Sequence, residues 1–119
     1  IAHLKGAAKK KKSEREYDKF FEDNSKIILD IYTPACGPCK LIAPKIEVLS
    51  HDPKYTKISF AKINAVGNDN DFILAGEKHV KNVSSVPTFI TFHDGKEVDR
   101  YTGSNIDEVV KLVDKLNKI

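Results

Sequence analysis

Hydrophobic residues in this chain alternate between helical spacing and strand spacing. Ser13 and Glu16 form a capping box, which predicts a helix over about 13–24. The alternative is a helix that extends back through Ala7, Ala8 and the lysines, which are tolerable helix formers. Its apolar face consists of Tyr17, Phe20 and Phe21. The following run from Ile27 to Tyr32 is apolar at every position except Asp30. Such a run is typical of a central strand that is buried on both faces.

The same reasoning predicts the rest of the chain. A helix begins near Cys36 and ends near His51, and Pro44 is expected to kink it because proline removes a backbone hydrogen bond. Asp94-Gly95 predicts a hairpin between two strands, and Ser104 is expected to cap a last helix. The remaining predicted elements are a brief edge strand at 1–4, strands over 58–63, 88–93 and 97–102, and a helix over 69–80.

This order of elements predicts one α/β domain. Helices and strands alternate in the first half, which favours parallel pairing, and the last two strands form an antiparallel hairpin. We therefore expect a central mixed β-sheet flanked by helices on both faces. A chain of 119 residues has the size of one domain and can bury a core without disulfide staples. Residues 1–12 are expected to be a basic N-terminal extension and residues 13–119 the domain itself.

Charge is distributed unevenly along the chain. Residues 1–15 hold six basic residues and one acidic residue, whereas the remainder holds 14 basic and 16 acidic residues. The Lys9–Lys12 run is expected to be a solvated tail or helix end, with an acidic protein, anionic lipid or nucleic acid as the alternative contact. No segment of the sequence has the length of a membrane span or resembles a nucleic-acid-binding module. The sequence starts at Ile1 and contains no Met, so a removed signal or transit peptide is compatible with it and the compartment stays open.

The two cysteines are the strongest chemical signal in the sequence. Cys36 and Cys39 follow the predicted buried strand and open a helix. Free backbone N–H groups and the helix dipole would stabilise a Cys36 thiolate, and Cys39 lies one turn later, where it can resolve a mixed disulfide. Gly37 is expected to allow the close turn, and Pro38 fits the first helical turn. This spacing predicts a redox-active pair.

A purely structural role and a zinc site are the two alternatives to a redox pair. Buried structural cysteines can lie three residues apart by chance, but the strand–turn–helix context favours redox chemistry. A zinc site needs further ligands, and the three candidate histidines, His51, His79 and His93, lack the paired spacing of such sites. We therefore expect no metal and no cofactor besides a redox-active disulfide between Cys36 and Cys39.

Several motifs, in the right order, resemble the thioredoxin family. Cys-Gly-Pro-Cys-Lys follows a strand that carries Asp30 and precedes Ile-Ala-Pro. Val86-Pro87-Thr88 resembles the cis-proline segment of that family, residues 92–96 resemble its hairpin, and Gly103 resembles its late glycine. The resemblance covers about 27–116. It implies the thioredoxin fold and the reduction of protein disulfides through a dithiol–disulfide cycle.

The resemblance also implies roles for residues around the cysteines. Asp30 matches a carboxylate that assists proton transfer at Cys39, and burial would raise its pKa; Lys62 matches the lysine beside it. Pro87 matches a proline with a cis peptide bond that faces the disulfide, and Val86 would offer backbone groups to an extended substrate. The implied substrate-binding residues are Ala35, Val86, Pro87, Thr88 and Gly103. A solvated edge-strand aspartate and an ordinary trans turn are the alternatives for Asp30 and Pro87.

One position departs from the family. Ala35 precedes the first cysteine, where the family normally has Trp. An indole there would offer a broad apolar contact beside the sulfur, so its absence leaves the thiol chemistry intact and predicts a restricted set of partners. We expect those partners to be disulfide-containing proteins, with an upstream thiol reductant such as a thioredoxin reductase. The alternative function is that of an accessory subunit in a larger assembly, such as a protein-translocation or secretion machine.

Overall fold

The computed structural model of this chain describes residues 2–4, 10–66 and 80–119, and it describes side chains from Tyr17 onward within those ranges. The strands are β1 (Ala2–Leu4), β2 (Lys26–Tyr32), β3 (Ser59–Asn64), β4 (Thr88–His93) and β5 (Lys96–Thr102). The α-helices are α1 (Lys10–Asp23), α2 (Gly37–Ser50) and α3 (Ile106–Asn117), and a 3₁₀ turn spans Pro53–Tyr55. The helix predicted over 69–80 lies outside the described residues apart from Val80.

The described strands form one mixed sheet in the order β1-β3-β2-β4-β5. Strands β1 and β2 run parallel to β3, whereas β4 is antiparallel to both β2 and β5. The predicted mixed sheet, parallel in its first half and closed by an antiparallel hairpin, is therefore confirmed. Strand β1 lies within the stretch expected to be an extension, and the domain boundary at residue 12 stays a prediction.

The alternation of side chains along β2 supplies both faces of the sheet with apolar residues. Ile27, Leu29 and Ile31 point toward a core that includes Tyr17 and Phe21 of α1. Ile28 points to the opposite face, where the core includes residues of α2 and α3 such as Ile42, Ile46, Val109 and Val113. Because both faces are covered, β2 is a central strand, and Asp30 on it is removed from solvent.

Two helix starts differ from their predictions. Helix α1 begins at Lys10, so Ser13 lies inside the helix and its predicted capping role is wrong; lysines are good helix formers, which lets the helix extend past that position. The cap of α3 is Asn105 and not Ser104, because the extended backbone falls at Asn105 and its side chain accepts the N–H of Asp107 at 3.0 Å. Asn and Ser are comparable caps, so sequence alone does not separate them.

The predicted hairpin between β4 and β5 is confirmed. The two-residue loop consists of Asp94 and Gly95, and both have a positive φ, 51° and 82°. Positive φ at both central positions is the requirement of a type I′ turn, for which Asp-Gly is a preferred pair. The hairpin brings the end of β5 back beside the start of β4, where Thr102 is paired with Thr88.

Candidate redox site

The cysteine pair lies at the junction between the central strand and α2. Cys36 is the N-cap residue of α2, with φ −79° and ψ 112°, and it is joined to Cys39 by a disulfide. The backbone N–H of Cys39 donates to Sγ of Cys36 at 3.1 Å. Cys36 is partly exposed, whereas Cys39 is buried, with 6% of its surface accessible. The pair therefore presents one sulfur to the outside and keeps the other behind it.

The two residues between the cysteines have different local roles. Pro38 lies in the first turn of α2, where a missing backbone donor costs nothing. Gly37 has no positive φ, and a Cβ added there would meet nothing within 4 Å. The turn itself therefore does not require glycine, and the steric reason that we expected for Gly37 is wrong.

Asp30 lies behind the disulfide in a small pocket of about 130 Å³. The pocket is lined by Asp30, Tyr32, Thr33, Pro34, Cys39, Lys40, Ala43 and Lys62. Asp30 is 5% exposed, and within the described part of the chain its Oδ1 has no hydrogen-bond partner. Burial raises the pKa of Asp30 from 3.8 to about 6, although the charge of Lys62 lowers it in part. The central position of β2 rules out the solvated edge-strand alternative.

Lys62 is brought to this pocket by strand register. In the parallel pair of β2 and β3, Lys62 is the partner of Asp30. Its Nζ also lies 4.7 Å from the centre of the Tyr32 ring, a cation–π contact. Sequence reasoning did not single out Tyr32. The signal was present, because Tyr32 is two residues after Asp30 on the same strand and so shares its face.

The segment before β4 lies at the same end of the sheet as the cysteines. Ile31 of β2 is paired with Thr88 of β4. The chain that leaves β2 toward Cys36 and the chain that enters β4 from Pro87 therefore lie at the same end of these two neighbouring strands. The Val86–Pro87 peptide bond is cis. Pro87 is buried and Val86 is partly buried.

Hydrogen bonds tie this segment to the ends of β4 and β5. The Thr88 hydroxyl donates to the Ser85 carbonyl at 2.7 Å and lies 2.8 Å from the Thr102 hydroxyl. The N–H of Gly103 donates to the Pro87 carbonyl at 3.0 Å. Gly103 has φ 143°, and a Cβ there would lie 2.5 Å from the Tyr101 hydroxyl oxygen, so glycine is required at this position.

Ala35 lies on the outer side of the disulfide. It is exposed, as are its neighbour Pro34 and the intervening residues Gly37 and Pro38. These exposed neighbours of Cys36 in sequence are small or rigid residues and offer little apolar area.

Among the described residues, no group of three or more His, Cys, Asp or Glu residues is arranged to hold a metal ion. His51 and His93 are described, and His79 lies outside the described residues. None of the helices in residues 10–66 and 80–119 is long and apolar enough to cross a bilayer.

Comparison with known proteins gives a consistent result. The family described as Thioredoxin matches residues 8–117. Thioredoxin 1 of Plasmodium falciparum (isolate 3D7) is 34% identical over 103 residues, which are 87% of this chain and 91% of that protein. Thioredoxin-T of Drosophila melanogaster is 29% identical over 104 residues, 87% of this chain, and the chain spans 62% of that longer protein.

A solved structure of Plasmodium falciparum thioredoxin resembles the whole fold. The two structures superpose with a TM-score of 0.74 at 29% sequence identity, over 97% of this chain and 98% of the other. The match therefore extends beyond the cysteine motif to the arrangement of sheet and helices.

Proposed function

The chain belongs to the thioredoxin family and carries the thiol–disulfide oxidoreductase chemistry of that family in Cys36 and Cys39, and from this premise we propose that it reduces disulfide bonds in a restricted set of partner proteins. One observation carries the proposal: Cys36 is partly exposed at the start of α2, while Cys39 is buried one turn behind it. A partner sulfur can reach only the first of these two sulfurs directly.

The reaction proceeds in two exchanges of sulfur partners. In the reduced protein the Cys36 thiolate attacks one sulfur of the partner disulfide, and the other partner sulfur leaves as a thiolate that takes up a proton. Cys39 then loses its proton and attacks Sγ of Cys36, so the second partner sulfur leaves and the Cys36–Cys39 disulfide forms. The partner gains two electrons, and an external thiol reductant returns two electrons to this protein. This cycle uses the cysteine pair without a further cofactor.

Two features support Cys36 as the nucleophile. Its sulfur accepts the backbone N–H of Cys39, and the same donor would stabilise negative charge on a thiolate. The helix dipole of α2 acts in the same direction at this N-cap position. Cys39 is the resolving cysteine in this scheme.

Asp30 accepts the proton that Cys39 loses, and Lys62 modulates that acceptor. Asp30 and Cys39 line the same small pocket. A carboxyl with a pKa of about 6 is present as an acid and as a base in appreciable amounts near neutral pH, which suits proton transfer. The Lys62 charge keeps this pKa from rising further, so that the carboxylate is available as a base.

The partner chain binds in an extended form at the edge formed by Val86, Pro87 and Thr88. Backbone groups of Val86 would pair with the partner in the manner of an added strand. Gly103 supports this edge because its N–H donates to the Pro87 carbonyl. Ala35 contributes little contact area on the other side of the disulfide, which is the basis for a restricted partner set. The relatives favour an oxidoreductase over an accessory subunit of a larger assembly.

The test compares the parent protein with Cys36→Ser and Cys39→Ser, with dithiothreitol as reductant. We expect the parent to reduce bis(2-hydroxyethyl) disulfide readily and insulin weakly. Cys36→Ser should lose both activities, and Cys39→Ser should accumulate a mixed disulfide on Cys36 that is detected by intact mass and peptide mapping. A parent protein that reduces neither disulfide would contradict the proposed function. If the Cys36→Ser variant accumulated a mixed disulfide on Cys39 and the Cys39→Ser variant accumulated none on Cys36, the roles of the two cysteines would be reversed.

A further inference from the structure

Arg100 holds a segment of chain that lies outside the sheet. Arg100 is in β5, and its guanidinium donates to the carbonyl of Lys81 at 2.8 Å and to the carbonyl of Asn82 at 3.1 Å. Two further bonds, at 2.9 Å and 2.5 Å, run from Nε and Nη2 to the two carboxylate oxygens of Glu97. The guanidinium therefore makes four hydrogen bonds, two to its own strand and two to the segment.

The two carbonyls belong to the chain that leads to Val86 and Pro87. At its far end this chain is fixed by the Gly103 N–H on Pro87 and by the Thr88 hydroxyl on the Ser85 carbonyl. At its near end Asn82 has φ 59°, a conformation that is uncommon for a residue other than glycine. Arg100 contributes two side-chain hydrogen bonds at this near end, to the consecutive backbone carbonyls of Lys81 and Asn82.

We infer that Arg100 is a positioning residue for protein substrates: its guanidinium clamps the 81–82 backbone to β5 and thereby fixes the approach of the Val86–Pro87 segment to the partner chain. The inference rests on the proposed function, in which that segment binds the partner. Arg100 itself is not a catalytic residue, because it lies in a different segment from the cysteines and its bonds outside β5 go to backbone carbonyls.

The geometry requires arginine and not only a positive charge. A guanidinium is planar and carries five donors, so it can bind the Glu97 carboxylate through two bonds and still serve two carbonyls. A lysine ammonium has three donors on one atom and cannot span both sets. Glu97 orients the guanidinium, because two parallel bonds fix the plane of the group.

The experiment uses Arg100→Gln and Arg100→Lys, with Lys115→Ala as the matched control. Lys115 also bonds an acidic residue of β5, Asp99, at 3.2 Å, but it does not reach the 81–82 backbone. For both Arg100 variants we expect kcat/KM on insulin to fall about tenfold, mainly through KM, while the rate on bis(2-hydroxyethyl) disulfide stays within about twofold. Amide hydrogen exchange over residues 83–86 should become faster in the same variants and stay unchanged in Lys115→Ala.

Three results would overturn the inference. Equal losses on the two substrates mean that the substitution acts on the cysteines or on the whole fold. Full activity of Arg100→Lys on insulin means that charge suffices and the clamp is not needed. Unchanged exchange over 83–86 means that Arg100 does not hold the segment. If the parent protein reduces neither disulfide, the proposed function fails, and the exchange measurement still decides whether Arg100 fixes the segment.

Discussion

The two sides of the Cys36–Cys39 disulfide are built differently. Behind it, Asp30, Lys62 and Cys39 line a small pocket, and Lys62 is the strand partner of Asp30. In front of it, Ala35 is exposed and offers little surface to a partner. On the proposed function, the inner side would govern the sulfur and proton chemistry, whereas the outer side would govern which proteins gain access to it.

The largest difference between the two sides is expected in the reactivity of the cysteines. In the reduced protein, iodoacetamide should modify Cys36 on the order of 100-fold faster than Cys39, because a reactive thiol has to be accessible and stabilised as a thiolate. Cys36 is partly exposed and its sulfur is bound by a backbone N–H, whereas Cys39 is 6% exposed. Time-resolved alkylation with peptide mapping measures both rates. Faster modification of Cys39 would remove the distinction between the outer and the inner sulfur.

Asp30→Asn tests the inner side through stability and turnover. Because burial raises the pKa of Asp30 from 3.8 to about 6, folding favours the protonated carboxyl. That contribution is complete below pH 3.8 and is lost as the pH rises through about 6. The asparagine side chain stays neutral at every pH. The free energy of unfolding of the Asp30→Asn variant should therefore exceed that of the parent by up to about 3 kcal/mol above pH 6. Turnover should slow, because Asn cannot accept a proton from Cys39.

Urea unfolding at pH 3.5, 5, 6 and 8 follows this difference, with Asp94→Asn as a control in the exposed hairpin turn. Asn-Gly also suits a type I′ turn, so the control should keep its fold and show no comparable pH dependence. An Asp30→Asn variant that is no more stable than the parent at pH 8 would contradict a desolvated Asp30.

Ala35→Trp tests the outer side. A large aromatic side chain that becomes buried against a partner can contribute a few kcal/mol, and about 1.4 kcal/mol is already a tenfold change. We expect kcat/KM on insulin to rise about tenfold and the rate on bis(2-hydroxyethyl) disulfide to stay almost constant. Val48→Trp is a control at an exposed position of α2. If the parent already matches Ala35→Trp on insulin, Ala35 does not restrict access.

The smallest effect is expected from Lys62→Met. The Lys62 charge lowers the pKa of Asp30, so its removal should raise that pKa above about 6. The pH at which the loss of stability from Asp30 is complete should then move upward. This shift should be smaller than the shift in the pKa of Asp30 that burial causes. A carbon-13 NMR titration of the Asp30 carboxyl measures the change, and Lys57→Met on the surface is the control. An unchanged or lower pKa would mean that Lys62 does not act on Asp30.

Strands and hairpin were predictable from sequence because their signals are local. The apolar run around Asp30 reports burial on both faces, and Asp94-Gly95 reports a turn that needs positive φ at both positions. The cysteines, Asp30 and the segment at Pro87 could be selected from motif order alone. Helix starts were less predictable, because Ser104 and Asn105 are equally good caps and the difference between them depends on where the chain turns.

The contacts that sequence could not supply are those between distant segments. The ring of Tyr32 meets Lys62 only because β2 and β3 pair in one register. Arg100 meets the Lys81 and Asn82 carbonyls only after the hairpin has folded back beside β4. Neither contact has a spacing that a single segment would reveal, and both depend on long side chains whose direction the strand pattern does not fix.

The exposed alanine beside the disulfide also has an optical consequence. The sequence contains no Trp, so its ultraviolet emission contains no indole fluorescence. Ala35→Trp would introduce a single indole next to Cys36, where a disulfide quenches the excited state by contact and a dithiol does so less. The emission of that fluorophore would report the oxidation state of the pair in real time, without a dye. The position proposed to limit contact with partners is thus also the one at which an introduced indole would report the redox state of the protein.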